Sequence, residues 1–443
     1  MDENINPVVC LSSETFEMIL NHLTGRELIR LTEVSPEWDT AIGASHILMN
    51  KIKVRITNAH QMSRIMDDFK SSVLMSPRLY QHLEVTKNSI PGGLICEILS
   101  RPNQCWRTLK AKCIRFESEF TDFMSLIESS IEELEIEEAV KCYSSMEWSL
   151  DALDAIDHNV AIIEQLRSLT LPKLKVFRTK RMYPQMLYEA FANCQNLNEL
   201  KTTAGTIHIS FIQRILVQNK HLEVLHISSY FFRTLFLTNF CADILKNLKS
   251  FAVYGPFKTD DVKMKTLQEN FLSFLHSHKH SLETFSIESW IGADALNYLF
   301  NLPQLKCLTI KKDKLEETSD WTSLKLKPSK SIESLVIFDR SQTFNVMKTF
   351  LKATPNIKDL SLFLMNQEEM EYLSSNFPQL KSLKIRTLTA SDFRDLNLFP
   401  NLEYCFVDTF FVNPYDEINN EHFIKKGTSR FVELFIKNFN YFL

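Results

Sequence analysis

Thirteen short stretches of this chain share one arrangement of positions, apolar-x-x-apolar-x-apolar. HLEVLHI (221–227), NLKSFAV (247–253), SLETFSI (281–287), QLKCLTI (304–310), SIESLVI (331–337), NIKDLSL (356–362) and QLKSLKI (379–385) fit it closely. LYQHLEV (79–85), CWRTLKA (105–111), SIEELEI (130–136), KLKVFRT (173–179), NLNELKT (196–202) and NLEYCFV (401–407) are looser copies. The later positions alternate, which is the period of a half-buried strand. Between copies the period becomes helical. Ile209, Ile212, Ile215 and Leu216 form one stripe, and Leu267, Phe271, Phe274 and Leu275 a second. Phe344, Met347, Phe350 and Leu351 form a third. Several helices stop at Pro or Asn just before the next strand, as in LKATPNI (351–357), SSNFPQL (374–380) and LNLFPNL (396–402).

The first apolar positions are Tyr80, Trp106, Ile131, Leu174, Leu197, Leu222, Leu248, Leu282, Leu305, Ile332, Ile357, Leu380 and Leu402. Their separations are 26, 25, 43, 23, 25, 26, 34, 23, 27, 25, 23 and 22, so ten of twelve fall between 22 and 27. That is the leucine-rich-repeat period, in which each unit supplies one strand and one return helix. The fold class expected is therefore α/β. Over residues 50–443 an irregular solenoid would carry parallel strands on its concave face and helices on its convex face. The 43-residue gap has room for a degenerate repeat around Leu166–Leu171. The 34-residue gap holds YGPFKTDDVKMK (254–265), read as a loop and a longer helix. IKVRI (52–56) is the expected first strand. The Asn or Cys usual in the turn after a repeat's strand is mostly missing. Phe431, Leu434, Phe435, Asn438, Phe439 and Phe442 suit an amphipathic helix, although RFVELFI (430–436) also suits a strand. We expect a helical cap from about 420, because an end repeat must cover an open core.

Residues 8–49 differ. Ser12 or Ser13 can cap a helix whose Phe16, Ile19, Leu20 and Leu23 make one apolar stripe. Thr24-Gly25-Arg26-Glu27 is a capping box, and Leu28, Leu31 and Val34 carry the next face. Ser35-Pro36 starts a third helix, followed by Trp38, Ile42 and Leu48. Three helices this short do not bury a sufficient core alone. Either they pack on the rest of the chain or part of the face belongs to a partner.

These residues resemble an F-box: a leading Leu11, a Phe-x-x-Ile-Leu-x-x-Leu helix, a charged turn before Leu28, and Val34-Ser35-x-x-Trp38. Ser12 stands where that family commonly has Pro. The resemblance implies a helical F-box head that binds the adaptor subunit of an SCF-type cullin-RING ubiquitin ligase, and through it the cullin scaffold. Leu11, Phe16, Ile19, Leu20, Leu23, Leu28, Leu31 and Val34 would form the adaptor face. Trp38 would anchor the third helix. The solenoid would then present an unknown protein substrate.

Composition narrows the alternatives. A net charge of −4 over 443 residues offers no basic field for nucleic acid. Nine Cys without a CxxC pair suit a reducing compartment, cytoplasmic or nuclear. The acidic start MDENINPVVC does not read as a signal peptide, and no stretch reads as a membrane span. His276 and His280 lack a third ligand, so HSHKHS (276–281) reads as a helix end and no metal is expected. Asp151, Asp154 and Asp157 read as a solvated face, and Cys405 as core. With no phosphate loop, HExxH or GxSxG, neither catalytic residue nor cofactor is expected.

Side chains between the pattern positions would face the concave surface. Toward one end these are Arg178, Lys180, Glu199, Lys201 and His226. The substrate-binding candidates are Tyr254, Lys311, Phe338, Phe363, Lys384, Arg386, Tyr404 and Phe406, a basic and aromatic mixture suited to a partly acidic segment with apolar anchors. The main reading is a substrate receptor of a ubiquitin ligase, not itself an enzyme. The alternative is a leucine-rich-repeat interaction scaffold without a ligase role.

Overall fold

In the computed structural model the described residues are 12–56, 78–86, 90–101, 106–116, 119–128, 130–141, 164, 167–183, 189–203, 209–238, 245–255, 261–288, 292–312, 324–339, 344–364, 367–389, 399–412 and 433–441. The chain divides into two compact units, Met1–Leu222 and Glu223–Leu443.

The first unit begins with four short helices, each started by a side-chain cap. Ser12 Oγ accepts from the Thr15 amide at 3.2 Å and opens α1 (Ser13–Leu20). Thr24 and Glu27 satisfy each other's amides at the start of α2 (Gly25–Thr32). Ser35 caps α3 (Pro36–Ala44), with Pro36 at its first turn, and Ser45 caps α4 (His46–Met49). Each such cap contributes on the order of 1 kcal/mol. Phe16, Leu20, Leu28, Ile42, Leu48 and Met49 are buried, and the Phe16 and Trp38 rings lie 5.5 Å apart.

Several polar contacts join these helices to the first strands. Arg78 reaches Asp39 at 2.7 Å and Thr32 Oγ1 at 3.2 Å. Gln81 donates to the His46 carbonyl at 2.7 Å, and His82 Nε2 lies 2.8 Å from Asn50 Oδ1. Lys51 Nζ donates to the Asn21 and Leu23 carbonyls.

The strands are β1 (Lys53–Ile56), β2 (His82–Val85), a two-residue β3 (Ile90–Pro91), β4 (Thr108–Phe116), β5 (Glu133–Lys141), β6 (Val176–Tyr183) and β7 (Glu199–Thr202). They pair in parallel in the order β1-β2-β4-β5-β6-β7, with β3 beside β4. The helices described among them are α5 (Gly92–Leu99), α6 (Phe120–Glu128) and α7 (Ile209–Gln218).

The second unit is again parallel throughout. Its strands are β8 (Val224–Ser228), β9 (Ser250–Tyr254), β10 (Thr284–Ile287), β11 (Cys307–Lys312), β12 (Ser334–Asp339), β13 (Asp359–Leu364), β14 (Ser382–Thr389), β15 (Tyr404–Val412) and β16 (Glu433–Tyr441). Each pairs with the next in sequence. The return helices are α8 (Ser229–Leu237), α9 (Asp261–Ser277), α10 (Ala293–Phe300), α11 (Phe344–Lys352) and α12 (Gln367–Asn376). The 17-residue α9 is the longer helix expected in the insertion.

Each of the thirteen quoted phrases ends in a strand, which starts two residues after the first apolar position. All thirteen of those positions are buried. The chain is thus an α/β leucine-rich-repeat solenoid in sequence pattern and in strand topology. Phenylalanines fill much of the space between helices and sheet. Phe236 meets the rings of Phe232, Phe271 and Phe274 at 4.6, 5.4 and 5.1 Å.

Side-chain amides link neighbouring repeats. An amide one residue before the repeat's first apolar position donates to a carbonyl of the preceding repeat. Asn196 reaches Pro172, Asn356 reaches Lys330, Gln379 reaches Pro355 and Asn401 reaches Pro378, at 2.7–2.9 Å. Buried Asn219 does more, accepting from the Leu197 amide at 2.8 Å and donating to the Cys194 carbonyl at 2.6 Å.

The C-terminal end corrects an expectation. Residues 433–441 form β16, not a capping helix, and pair with β15 from Tyr404↔Glu433 to Val412↔Tyr441. The pairing adds a strand along β15, and Phe435, Ile436, Phe439 and Tyr441 are residue types that favour extended backbone. Asp151, Asp154 and Asp157 lie outside the described residues.

Candidate functional site

In the first unit the helical head divides the proposed adaptor face. Phe16, Leu20 and Leu28 are only 5%, 5% and 0% exposed. As surface contacts these three are corrected: they form the head's own core, because α1 and α2 pack their stripes inward. Leu23 and Leu31 are half-buried, while Ile19 and Val34 are 52% and 67% exposed. Leu11 lies outside the described residues. The pattern missed Met18, Ile29 and Ile47, which are 66%, 39% and 51% exposed. Their only sequence signal is that they are large and apolar off the stripe.

The sheet of this unit turns a charged face away from its core. Arg55, Glu84, Lys110, Glu135, Arg178 and Lys201 share one register row. Ion pairs run along it: Arg55–Glu84 at 2.8 Å, Lys110–Glu135 at 3.0 Å, Arg178–Glu135 at 3.1 Å and Arg178–Glu199 at 2.5 Å. Lys201–Glu199 and Lys180–Glu137 add contacts of 2.8 and 2.9 Å. Burial alone would raise the Glu135 carboxyl, but Lys110 and Arg178 hold it below the usual carboxylate range. Glu132, bonded by Arg107 and then Lys175, is lowered to about 2. Arg178, Lys180 and Lys201, expected on this face, are engaged by the protein's own carboxylates.

The second unit presents a different face. His226 Nε2 lies 3.2 Å from Ser250 Oγ, and its Nδ1 lies 3.1 Å from the Tyr254 hydroxyl. Burial, and then Glu288, push the Tyr254 phenol up, so it stays protonated at neutral pH. Gly255, at φ +84°, turns its amide onto Glu288 at 2.8 Å, and Lys311 Nζ reaches the other oxygen at 3.0 Å. The positive φ favours glycine there. Tyr254 and Lys311 are thus brought into one polar cluster with His226. Farther along, the Lys384 ammonium sits 4.6 Å from the centre of the Phe406 ring, and Tyr404 is 48% exposed. Phe338, Phe363 and Arg386 lie in β12, β13 and β14, and their side chains are outside the described residues.

Of the groups weighed for chemistry, His276 has a structural partner and Cys405 is buried. His276 Nδ1 lies 2.9 Å from the Tyr298 hydroxyl. Burial pushes the Cys405 and Cys194 thiols up to about 12, far from thiolate at neutral pH. Among the described residues no group of three His, Cys, Asp or Glu side chains could hold a metal, and no helix is long and apolar enough to cross a membrane.

No family model matches the sequence, and no curated protein matches it. Among solved structures the chain is similar to an internalin from Listeria monocytogenes, at 15% identity over 72% of this chain and 77% of that one, with a TM-score of 0.31. It is also similar to a protein from Bacteroides fragilis, at 16% identity over 46% of this chain and 68% of that one, with a TM-score of 0.28.

Proposed function

We propose that this chain is a substrate receptor of an SCF-type ubiquitin ligase. The F-box-like head would hold the adaptor subunit, and the repeat array would hold a protein substrate. Its contribution would be to raise the effective concentration of substrate beside the conjugating enzyme, without a catalytic residue of its own. One observation carries the reading. Among the described residues, the large apolar side chains left exposed are Met18, Ile19, Ile29, Val34 and Ile47 in the head, against only Val217, Tyr230 and Tyr404 elsewhere. A helical head that builds its own core and still leaves five such side chains in water has a face suited to a partner.

Co-purification with the ligase adaptor tests this. Wild type should form a stoichiometric complex, and Ile19→Asp/Val34→Asp should lose it with an unchanged thermal melt, since both side chains already face solvent. Leu20→Asp would be a poor probe, because it would bury a charge in the head's core. A well-folded wild type that binds no adaptor would leave the other reading, a leucine-rich-repeat scaffold without a ligase role.

A further inference from the structure

We propose that Lys51 is a positioning residue of the helical head: its ammonium fixes the turn between α1 and α2 against the end of α4, and so sets the spacing of the apolar side chains left in water. The consequence for adaptor binding rests on the receptor reading and deepens it.

The turn needs a cation that its own segment does not supply. Carbonyls at a helix C-terminus lack intrahelical donors and carry partial negative charge. α1 has no basic residue in its last turn. Lys51, the residue after the Asn50 C-cap of α4, brings one from 30 residues away in the chain. Its Nζ donates to the Asn21 carbonyl, and to the Leu23 carbonyl at 3.0 Å.

Lys51 meets the turn through its backbone as well. Gly25, the first residue of α2, packs so closely that an added Cβ would lie 2.1 Å from the Lys51 carbonyl oxygen. The Lys51 amide donates to the Leu48 carbonyl at 3.1 Å, so the residue is itself anchored in the end of α4. At the other end of α4, its cap Ser45 donates to Glu17 of α1 at 2.5 Å. The Thr24–Glu27 box starts α2 but bonds only within its own segment, so it does not hold the turn to α4.

This arrangement governs the exposed apolar side chains. Met18 and Ile19 lie on α1, Ile29 on α2, Val34 just beyond it and Ile47 on α4. A partner that covers side chains from three helices needs them at fixed separations. A loosened turn makes binding carry the cost of restoring them.

The test uses the full chain as wild type, Lys51→Met and Lys51→Arg. Methionine keeps an apolar stem and loses the donors, whereas arginine keeps both charge and donors. The amides of Asn21, Leu23 and Thr24 are bonded to the Glu17 carbonyl, the Leu20 carbonyl and the Glu27 carboxylate. Hydrogen–deuterium exchange at these amides therefore reports opening of the turn. Lys51→Met should speed exchange over residues 21–25 about tenfold, leave β4 and β5 at wild-type rates, and weaken adaptor binding about tenfold. Lys51→Arg should restore both. The proposal is overturned by unchanged exchange at the turn, by a uniform rise across the first unit, or by failure of Lys51→Arg to restore protection. Wild-type adaptor affinity in a Lys51→Met chain with a loosened turn overturns it too. A wild type that binds no adaptor removes the receptor reading, and the exchange comparison still decides the role of Lys51.

Discussion

Thr179 and Thr202 sit in a row whose other members are Ile56, Val85, Ala111 and Ile136. Both are buried and neither hydroxyl has a partner. Burying an unsatisfied hydroxyl costs on the order of 1–3 kcal/mol, and valine has nearly the same shape. Thr202→Val should therefore leave the unfolding free energy unchanged or raise it by up to about 1 kcal/mol, read from urea denaturation; a clear loss would mean the hydroxyl is satisfied in solution. Phe236→Ala should act oppositely, costing about 3–5 kcal/mol by opening a cavity among Phe232, Phe271 and Phe274. At Gly25 an added Cβ would lie 2.1 Å from the Lys51 carbonyl oxygen, so Gly25→Ala should displace α2 from that turn and lower thermal stability. Residue type and helical spacing showed that Phe16, Ile19 and Leu20 belong to one apolar stripe. They did not show that Ile19 stays in water, because a stripe's edge is buried or exposed according to what packs beside it.

At the scale of elements, β5 is an acidic strand between basic ones. Glu132 lies between Arg107 and Lys175, Glu135 between Lys110 and Arg178, and Glu137 meets Lys180. A carboxylate whose folded pKa is depressed adds stability that is complete above its ordinary value and is lost as pH falls through the folded one. For Glu132 that window runs from 4.5 down to about 2. The urea midpoint should fall across it, and Glu132→Gln should flatten the fall; an unchanged slope would show that this ladder does not contribute. Strand positions were legible because alternation over a few residues is a strong local signal. The last strand also reads as a helix in sequence because ELFIKNFNY carries both periods. Pairing with β15, about 20 residues earlier in the chain, selects the strand.

At the scale of the molecule, the division falls at Leu222 and Glu223, inside the repeat array and not at the junction of head and repeats. Head residues Asp39, Gly43, His46 and Asn50 bond to residues 78–82, which accounts for the head remaining within the first unit. Removing residues 433–443 should lower the thermal melt, because β15 loses its pairing with β16 from Tyr404↔Glu433 to Val412↔Tyr441. An unchanged melt would show that β16 adds nothing to the stability of the unit.

The sequence alone determined the repeat period, the strand starts, the helix caps and the parallel α/β class. These follow from interactions among residues a few positions apart, where apolar spacing and capping chemistry act directly. Only the tertiary structure decided which apolar side chains remain in water and which cations are engaged by the chain's own carboxylates. Those properties depend on register between strands that are 22 to 43 residues apart in the chain. Register sets which side chains become neighbours, and neighbours set burial and charge.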